Sequence, residues 1–204
     1  MSEADEFSAL LGRAFSLSPG VLSELYRHYE LLVRWNKTLN LTSIAGLEEA
    51  VERHYCESLF LGGHFPEAPV SVLDVGSGAG FPGVPMAILR PDCRFTLAES
   101  HQRKAVFLRE ATRHLSNVCI AACRAEEVAG AFDWVVARAV RWPDVLKVAS
   151  RPTQGAGRPA VGLLLGQDDA EEVTRSPQFA WREPVPLPWG QRRVLVLGQG
   201  RVRT

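Results

Sequence analysis

The stretch Val72 to Gly83, reading Val-Leu-Asp-Val-Gly-Ser-Gly-Ala-Gly-Phe-Pro-Gly, constrains this chain more than any other. Val72, Leu73 and Val75 make a short buried strand, and the glycines at 76, 78 and 80 follow at once, where a strand must turn sharply into a helix. Pro82 and Gly83 open that helix, because the N–H that a proline lacks has no intrahelical partner in the first turn. Asp74 stands inside the apolar strand, where a carboxylate is costly unless it finds donors or a cationic ligand. The whole reads as a nucleotide-cofactor loop.

The periodicity on either side of the stretch differs. Before it, Ser18-Pro19 is a cap and first-turn proline, and Leu22, Leu25, Tyr26, Tyr29, Leu32, Val33 and Trp35 recur by threes and fours as one buried stripe. A second helix is expected from Leu47 through Val51, Tyr55 and Leu59 to Gly62-Gly63. After it, strands and helices alternate. Strands are expected at Val72–Val75, Arg94–Ala98, Val118–Ala122, Asp133–Ala139 and Ala160–Leu165, with helices at Val84–Leu89, around residues 105–115 and around Val145–Ala149. Repeated β-α-β order means a parallel sheet covered on both faces. Gln154 to Pro159 reads as a loop. The last two strands, Gln178–Val185 and Arg193–Leu197, have so short a connection that they must form an antiparallel hairpin. The expectation is a helical N-terminal cap over residues 1–66 and an α/β unit over 67–204 with a mostly parallel seven-stranded sheet.

Composition excludes several classes. In 204 residues, 46% apolar and 23% charged, disorder is not expected. No run of about 18 apolar residues is present to span a membrane, and the acidic start Ser2-Glu3-Ala4-Asp5-Glu6 has the wrong sign for a secretory signal, so a cytoplasmic protein is expected. Cys56, Cys93, Cys119 and Cys123 show no C-x-x-C pair and read as reduced core residues, with no metal site. The net charge of zero removes any global electrostatic argument for nucleic-acid binding. Distribution has to carry it: Arg90, Arg94, Arg103, Lys104, Arg109 and Arg113 cluster, and Arg192, Arg193, Arg201 and Arg203 mark the end.

Ligands of open α/β sheets bind at the carboxyl ends of strands. Those ends are the glycine loop, Glu99-Ser100, Cys123-Arg124-Ala125-Glu126 and Ala137-Arg138-Ala139. Gly78 to Gly83 formally matches G-x-G-x-x-G with Glu99 about 20 residues on, which admits a dinucleotide. Asp74, however, brings a carboxylate toward the ligand, which suits a cofactor carrying positive charge. S-adenosylmethionine, with its ammonium and sulfonium groups and a ribose for Glu99, is the better match.

The loop Asp74 to Gly83, with Asn40-Leu41-Thr42 before it and Arg124-Ala125-Glu126 and Ala137-Arg138-Ala139 after it, resembles the small-subunit ribosomal RNA methyltransferase G family, also called glucose-inhibited division protein B. The resemblance covers nearly the whole chain and is densest from His54 to Ala139. It implies a class I S-adenosylmethionine-dependent methyltransferase fold, Rossmann-like, and methyl transfer to N7 of a guanine in 16S rRNA, free or in the small ribosomal subunit. It further implies that Gly76 and Gly78 cradle the methionine part, Phe81 lines the pocket, Glu99 holds the ribose and Ala125 and Glu126 meet the adenine. Arg138 would lie near cofactor and target base as an orienting group. A monomer is expected.

Guanine N7 carries a free lone pair, so no general base is required and His54 is expected to be a packing residue. Three segments depart from the family pattern: Glu57 stands where an aspartate is usual, Leu165-Gly166 where Lys-Gly is usual, and Arg141-Trp142-Pro143-Asp144 replaces a small, apolar continuation. Trp142 is either a stacking platform or a core residue. These departures keep two other readings open, a cofactor-binding RNA module without turnover and a methyltransferase acting on a small molecule or a protein.

Overall fold

The computed structural model describes residues 2–151 and 158–201. Residues 154–157 of the expected loop, and Arg203, lie outside them. The acidic start is the first turn of a helix, α1 (Glu3–Gly12), where a capping box joins Ser2 and Asp5 and the acids complement the helix dipole. Its stripe of Phe7, Leu10 and Leu11 is buried. Helix α2 (Pro19–Leu39) begins at the Ser18 cap and ends at Asn40, whose φ of 47° stops it.

The helix expected from Leu47 to Gly63 is continuous but not uniform. It runs as α3 (Leu47–Ala50), a π-helical turn (Val51–Cys56) and α4 (Glu57–Gly62). A single regular stripe does not bury five successive residues, yet His54, Tyr55, Cys56, Glu57 and Ser58 are all buried here. The wider π turn shifts the helical phase at the point where that happens, a feature frequent at functional sites.

Five parallel strands follow in the order β3-β2-β1-β4-β5: β1 (Ser71–Val75), β2 (Arg94–Ala98), β3 (Val118–Ala121), β4 (Trp134–Arg138) and β5 (Ala160–Gly166). Helices α5 (Gly83–Leu89), α6 (Gln102–Thr112) and α7 (Trp142–Ala149) make the crossovers, and α8 (Gln167–Val173) follows β5. Alternate residues of the strands enter two cores. Val72, Leu97, Val136 and Leu164 join a cluster that also contains Phe7, Leu25 and Tyr55 from the N-terminal helices, whereas Leu73, Val135 and Leu163 pack with α7 and α8.

The antiparallel end differs from expectation in one respect. Among the described residues the sheet has eight strands rather than seven, because the expected Gln178–Val185 strand is replaced by two short ones, β6 (Phe179–Trp181) and β7 (Val185–Pro186). Both pair with β8 (Arg193–Gly200), which itself runs antiparallel to β5. Pro184, which lies between β6 and β7, explains the break, since proline has no N–H to give a ladder. The cysteines also differ. Cys56 and Cys93 are core residues as expected, but Cys119 is exposed on β3 and Cys123 is half-buried. Among the described residues no helix is long and apolar enough to cross a membrane.

Candidate active site

Strand order reverses between β1 and β4, and in doubly wound sheets the ligand crevice lies at that reversal, beyond the carboxyl ends. The glycine loop leaves β1 there. Its first two N–H groups, of Gly76 and Ser77, donate to the Ala98 carbonyl at 2.9 and 3.1 Å, which ties the loop to the end of β2. Gly76, Gly78 and Gly80 have φ of 67°, 56° and 93°, conformations that other residues rarely adopt. The underside is closely packed: a Cβ on Gly80 would stand 2.6 Å from Val84 Cγ2 and 3.1 Å from His28 Nε2. The upper side is open. Gly76 is exposed, although a Cβ on it would stand 2.8 Å from Val140 Cγ2, and a Cβ on Gly78 would meet nothing nearer than 3.8 Å.

Glu99 sits where the sequence places it, beside that open side. Its Oε2 accepts from Gly78 N at 3.0 Å and its Oε1 from His101 N at 2.7 Å. Each oxygen retains a further lone pair for a ligand hydroxyl. Ala125 and Glu126 form a short 3₁₀ turn after β3, with Ala125 buried and Glu126 half-buried.

Two candidates lie elsewhere than expected. Asp74 does not face the crevice: it is fully buried, and Oδ2 accepts from Gly83 N at 3.0 Å, at the start of α5. The strand's alternation turns it beneath the loop, where it serves the helix N-terminus. Burial pushes its carboxyl up to about 7, against the lowering effects of Ser77 and then of the Gly83 N–H, and among the described residues Oδ1 has no partner. Phe81 likewise does not line an open pocket. It is 5% exposed, and His54 stacks on its ring at 4.4 Å between centroids.

Around Phe81 lies a polar network that motif reading alone does not reveal. Arg138, at the end of β4, stands over the Phe81 ring at 5.8 Å and donates from Nη1 to His54 Nδ1. A guanidinium only donates, so Nδ1 accepts and the proton sits on Nε2, which donates to Thr42 Oγ1 at 2.8 Å. Asn36 brackets Thr42 through two hydrogen bonds of 2.9 Å. Burial, and then the charge of Arg138, lower His54 to about 2, so the ring is neutral. His54 is therefore more than packing, because it holds Arg138.

Arg138 also faces a buried carboxylate. Glu57 is wholly inaccessible and meets three guanidiniums. Arg193 forks onto it at 2.8 and 3.3 Å, Arg53 reaches it at 3.3 Å and Arg138 Nε lies 3.4 Å away. One negative charge thus organises three positive ones, and Glu57, the residue longer than the family's usual aspartate, is the hub. Burial lowers Arg138 to about 10, opposed first by Glu57. Arg193 stands opposite Gly166 across the β5–β8 pair, so a cation does occupy that sheet edge although Leu165 itself is buried.

His28 also escapes a motif search. Its Nε2 donates to the Ala79 carbonyl at 3.1 Å and its Nδ1 accepts from the Tyr55 hydroxyl at 2.8 Å, while burial lowers it to about 4. The available signal is its position on the apolar stripe of α2, three residues after Leu25 and four before Leu32.

This sheet order, the open-sided glycine loop and the acid after β2 define a class I S-adenosylmethionine-dependent methyltransferase. The fold matches a "SAM dependent methyltransferase" of Aquifex aeolicus at a TM-score of 0.58 and 13% identity, covering 74% of this chain and 92% of that one. It matches the fibrillarin/Nop5p complex structure at 0.59 and 14%, over 73% and 82%. The chain belongs to the rRNA small subunit methyltransferase G family, which matches residues 21–180. It is 44% identical to "Ribosomal RNA small subunit methyltransferase G" of Xanthomonas axonopodis pv. citri (strain 306), covering 97% of each, and 39% identical to the protein of that name from Lactococcus lactis subsp. lactis, over 98% of this chain and 92% of that one. It is an enzyme whose cofactor is S-adenosylmethionine.

Proposed function

We propose that the protein methylates N7 of a guanine in 16S rRNA, acting as a cytoplasmic monomer. The observation that carries this reading is the meeting, at one sheet edge, of an open glycine loop with its acid and a cationic cluster held by a buried glutamate. The first suits a positively charged, ribose-bearing cofactor and the second a polyanionic acceptor.

In this reading the Gly76 and Gly78 backbone receives the methionine part, Glu99 the ribose hydroxyls, and Ala125 with Glu126 borders the adenine. Asp74 acts on the cofactor only indirectly, by fixing α5 and the loop above it. When bound, S-adenosylmethionine supplies an electrophilic methyl group. The chain's part is to orient the acceptor. N7 presents its lone pair without deprotonation, so neutral His54 need take no proton and acts by aiming Arg138 at the crevice. Alignment of this kind is worth up to about 7–11 kcal/mol of barrier. Arg193, opposite Gly166, supplies a cation beside Leu165, which weakens one of the two motives for a module without turnover; the other, the Arg141–Asp144 stretch, stands.

The test is to incubate the protein with labelled S-adenosylmethionine and either 16S rRNA or small subunits, then digest and identify the nucleoside. The expected product is 7-methylguanosine. Absence of label from guanine on every form of the substrate would sink the proposal.

A further inference from the structure

Beyond the ends of β4 and β5 lies a cleft of about 510 Å³ that no step above uses. Arg141, Trp142, Leu165, Asp169, Glu172 and Arg193 contribute to its lining. Its size falls within the range of about 300–1,000 Å³ usual for small-ligand sites. Trp142 is half-buried: it packs against the second core and also lines this cleft. It begins α7, four residues after Arg138, so the cleft adjoins the crevice. Among the described residues, Arg141, Asp169 and Glu172 make no ion pair with one another or with any other group. Arg193 gives Nε and Nη2 to Glu57, and its Nη1 makes no hydrogen bond among the described residues.

We infer that this cleft is a nucleotide subsite for the RNA strand beside the target guanine. The inference rests on the rRNA methyltransferase reading and adds a second point of contact to it. An indole offers a face to any base. Arg193, fixed by its fork onto Glu57, presents its free nitrogen to a phosphate, and Arg141 adds a second cation. Asp169 and Glu172 repel the phosphate, so they set the polarity of the nucleotide. Its phosphate lies toward the arginines and its base toward the acids, which accept N–H groups from the base edge. Arg141 and Trp142 occupy this place in a chain whose net charge is zero, which makes local rather than global attraction decisive.

The test compares wild type, Trp142→Ala, Trp142→Phe and Arg141→Ala with a 16S rRNA transcript and reconstituted small subunits, measuring KM for the RNA, kcat, and the S-adenosylmethionine Kd by calorimetry. Trp142→Ala is expected to raise KM for RNA about tenfold, a loss within the range for base stacking on an aromatic ring, with the cofactor Kd unchanged and with Trp142→Phe recovering most of the loss. Arg141→Ala is expected to reduce the slope of log affinity against log salt by about one. An unchanged RNA KM in Trp142→Ala, or a cofactor Kd that worsens in step with it, overturns the subsite while wild-type turnover leaves the enzyme reading intact. A wild type that binds S-adenosylmethionine and methylates neither RNA overturns both.

Discussion

Replacing Glu57 by Gln tests whether the cationic cluster is built around one carboxylate. The change keeps the shape of the side chain and one oxygen but removes the charge and turns an amide N–H₂ toward three donors. Glu57 is wholly buried, whereas the Arg138, Arg193 and Arg53 side chains are 11%, 18% and 31% exposed. Breaking a buried ion pair from one side costs about 3–5 kcal/mol, because the remaining charge stays desolvated. Arg53 is the most exposed of the three, so solvent screens much of its share. The loss therefore falls mainly on Arg193 and Arg138, at about 3 kcal/mol. At a urea dependence of about 3 kcal/mol per M, the unfolding midpoint should drop by about 1 M. Glu57→Asp keeps the charge but draws it back by a methylene, and should lie between wild type and Glu57→Gln. The same samples should show weakened RNA methylation, since Arg193 and Arg138 lose their common anchor. A midpoint shift in Glu57→Gln below ~0.3 M with unaltered RNA kinetics would refute the hub.

Three further outcomes follow from the same geometry. Asp74 has a folded pKa of about 7 against 3.8 for the free group, so the native state holds its proton longer than the unfolded chain does. Its contribution is complete below pH about 4 and is lost as pH rises through 7, at about 1.4 kcal/mol for each pH unit that separates the two values. The stability of Asp74→Asn relative to wild type should therefore rise between pH 4 and 7 in urea titrations; a flat difference would show that the carboxyl is not perturbed. His54 is neutral throughout the working range, so the pH profile of kcat should show no ionisation near 6.5 that His54→Gln abolishes, although that variant should lose Arg138 orientation and turnover. Gly83→Ala places a Cβ 2.4 Å from Leu97 Cδ2 and 2.6 Å from Asp74 Oδ2, and should cost about 1–3 kcal/mol by thermal or urea unfolding, with a wild-type midpoint counting against the packing described for α5.

What the sequence makes legible is what neighbouring residues encode. The strand, the glycine turn and the helix after it occupy one consecutive stretch, and their chemistry is local: an apolar run, three positive-φ glycines and a proline, which stands at the cap of α5 rather than in its first turn as expected. Glu99 is legible for a similar reason, because one crossover fixes its place. The direction in which Asp74 points is not. The same alternation that buries Val72 and Val75 on opposite faces turns Asp74 below the loop, and only the approach of Gly83 decides what it meets. The glutamate hub is still harder to read, since Glu57 and Arg193 lie 136 positions apart and pair only because β8 returns beside β5. The π turn leaves no mark that helical periodicity would register, and β6 and β7 read as one strand unless Pro184 is allowed to interrupt it.

The N-terminal helices consequently do more than cover the sheet. His28 of α2 holds the Ala79 carbonyl of the glycine loop, His54 of the π turn holds Arg138, and Arg53 and Glu57 sit within the cationic cluster. The cofactor loop and Arg138 thus both depend on the N-terminal helical segment, the loop on α2 and Arg138 on the π turn, and Phe81 joins them, since its ring carries His54 on one contact and lies beneath Arg138 on another. Phe81 gives a displacement of the loop a path to Arg138, directly and by way of His54. The loop that first marks this chain as a user of a nucleotide-like cofactor is therefore also in contact, through Phe81 and His54, with Arg138, the group proposed to orient the acceptor.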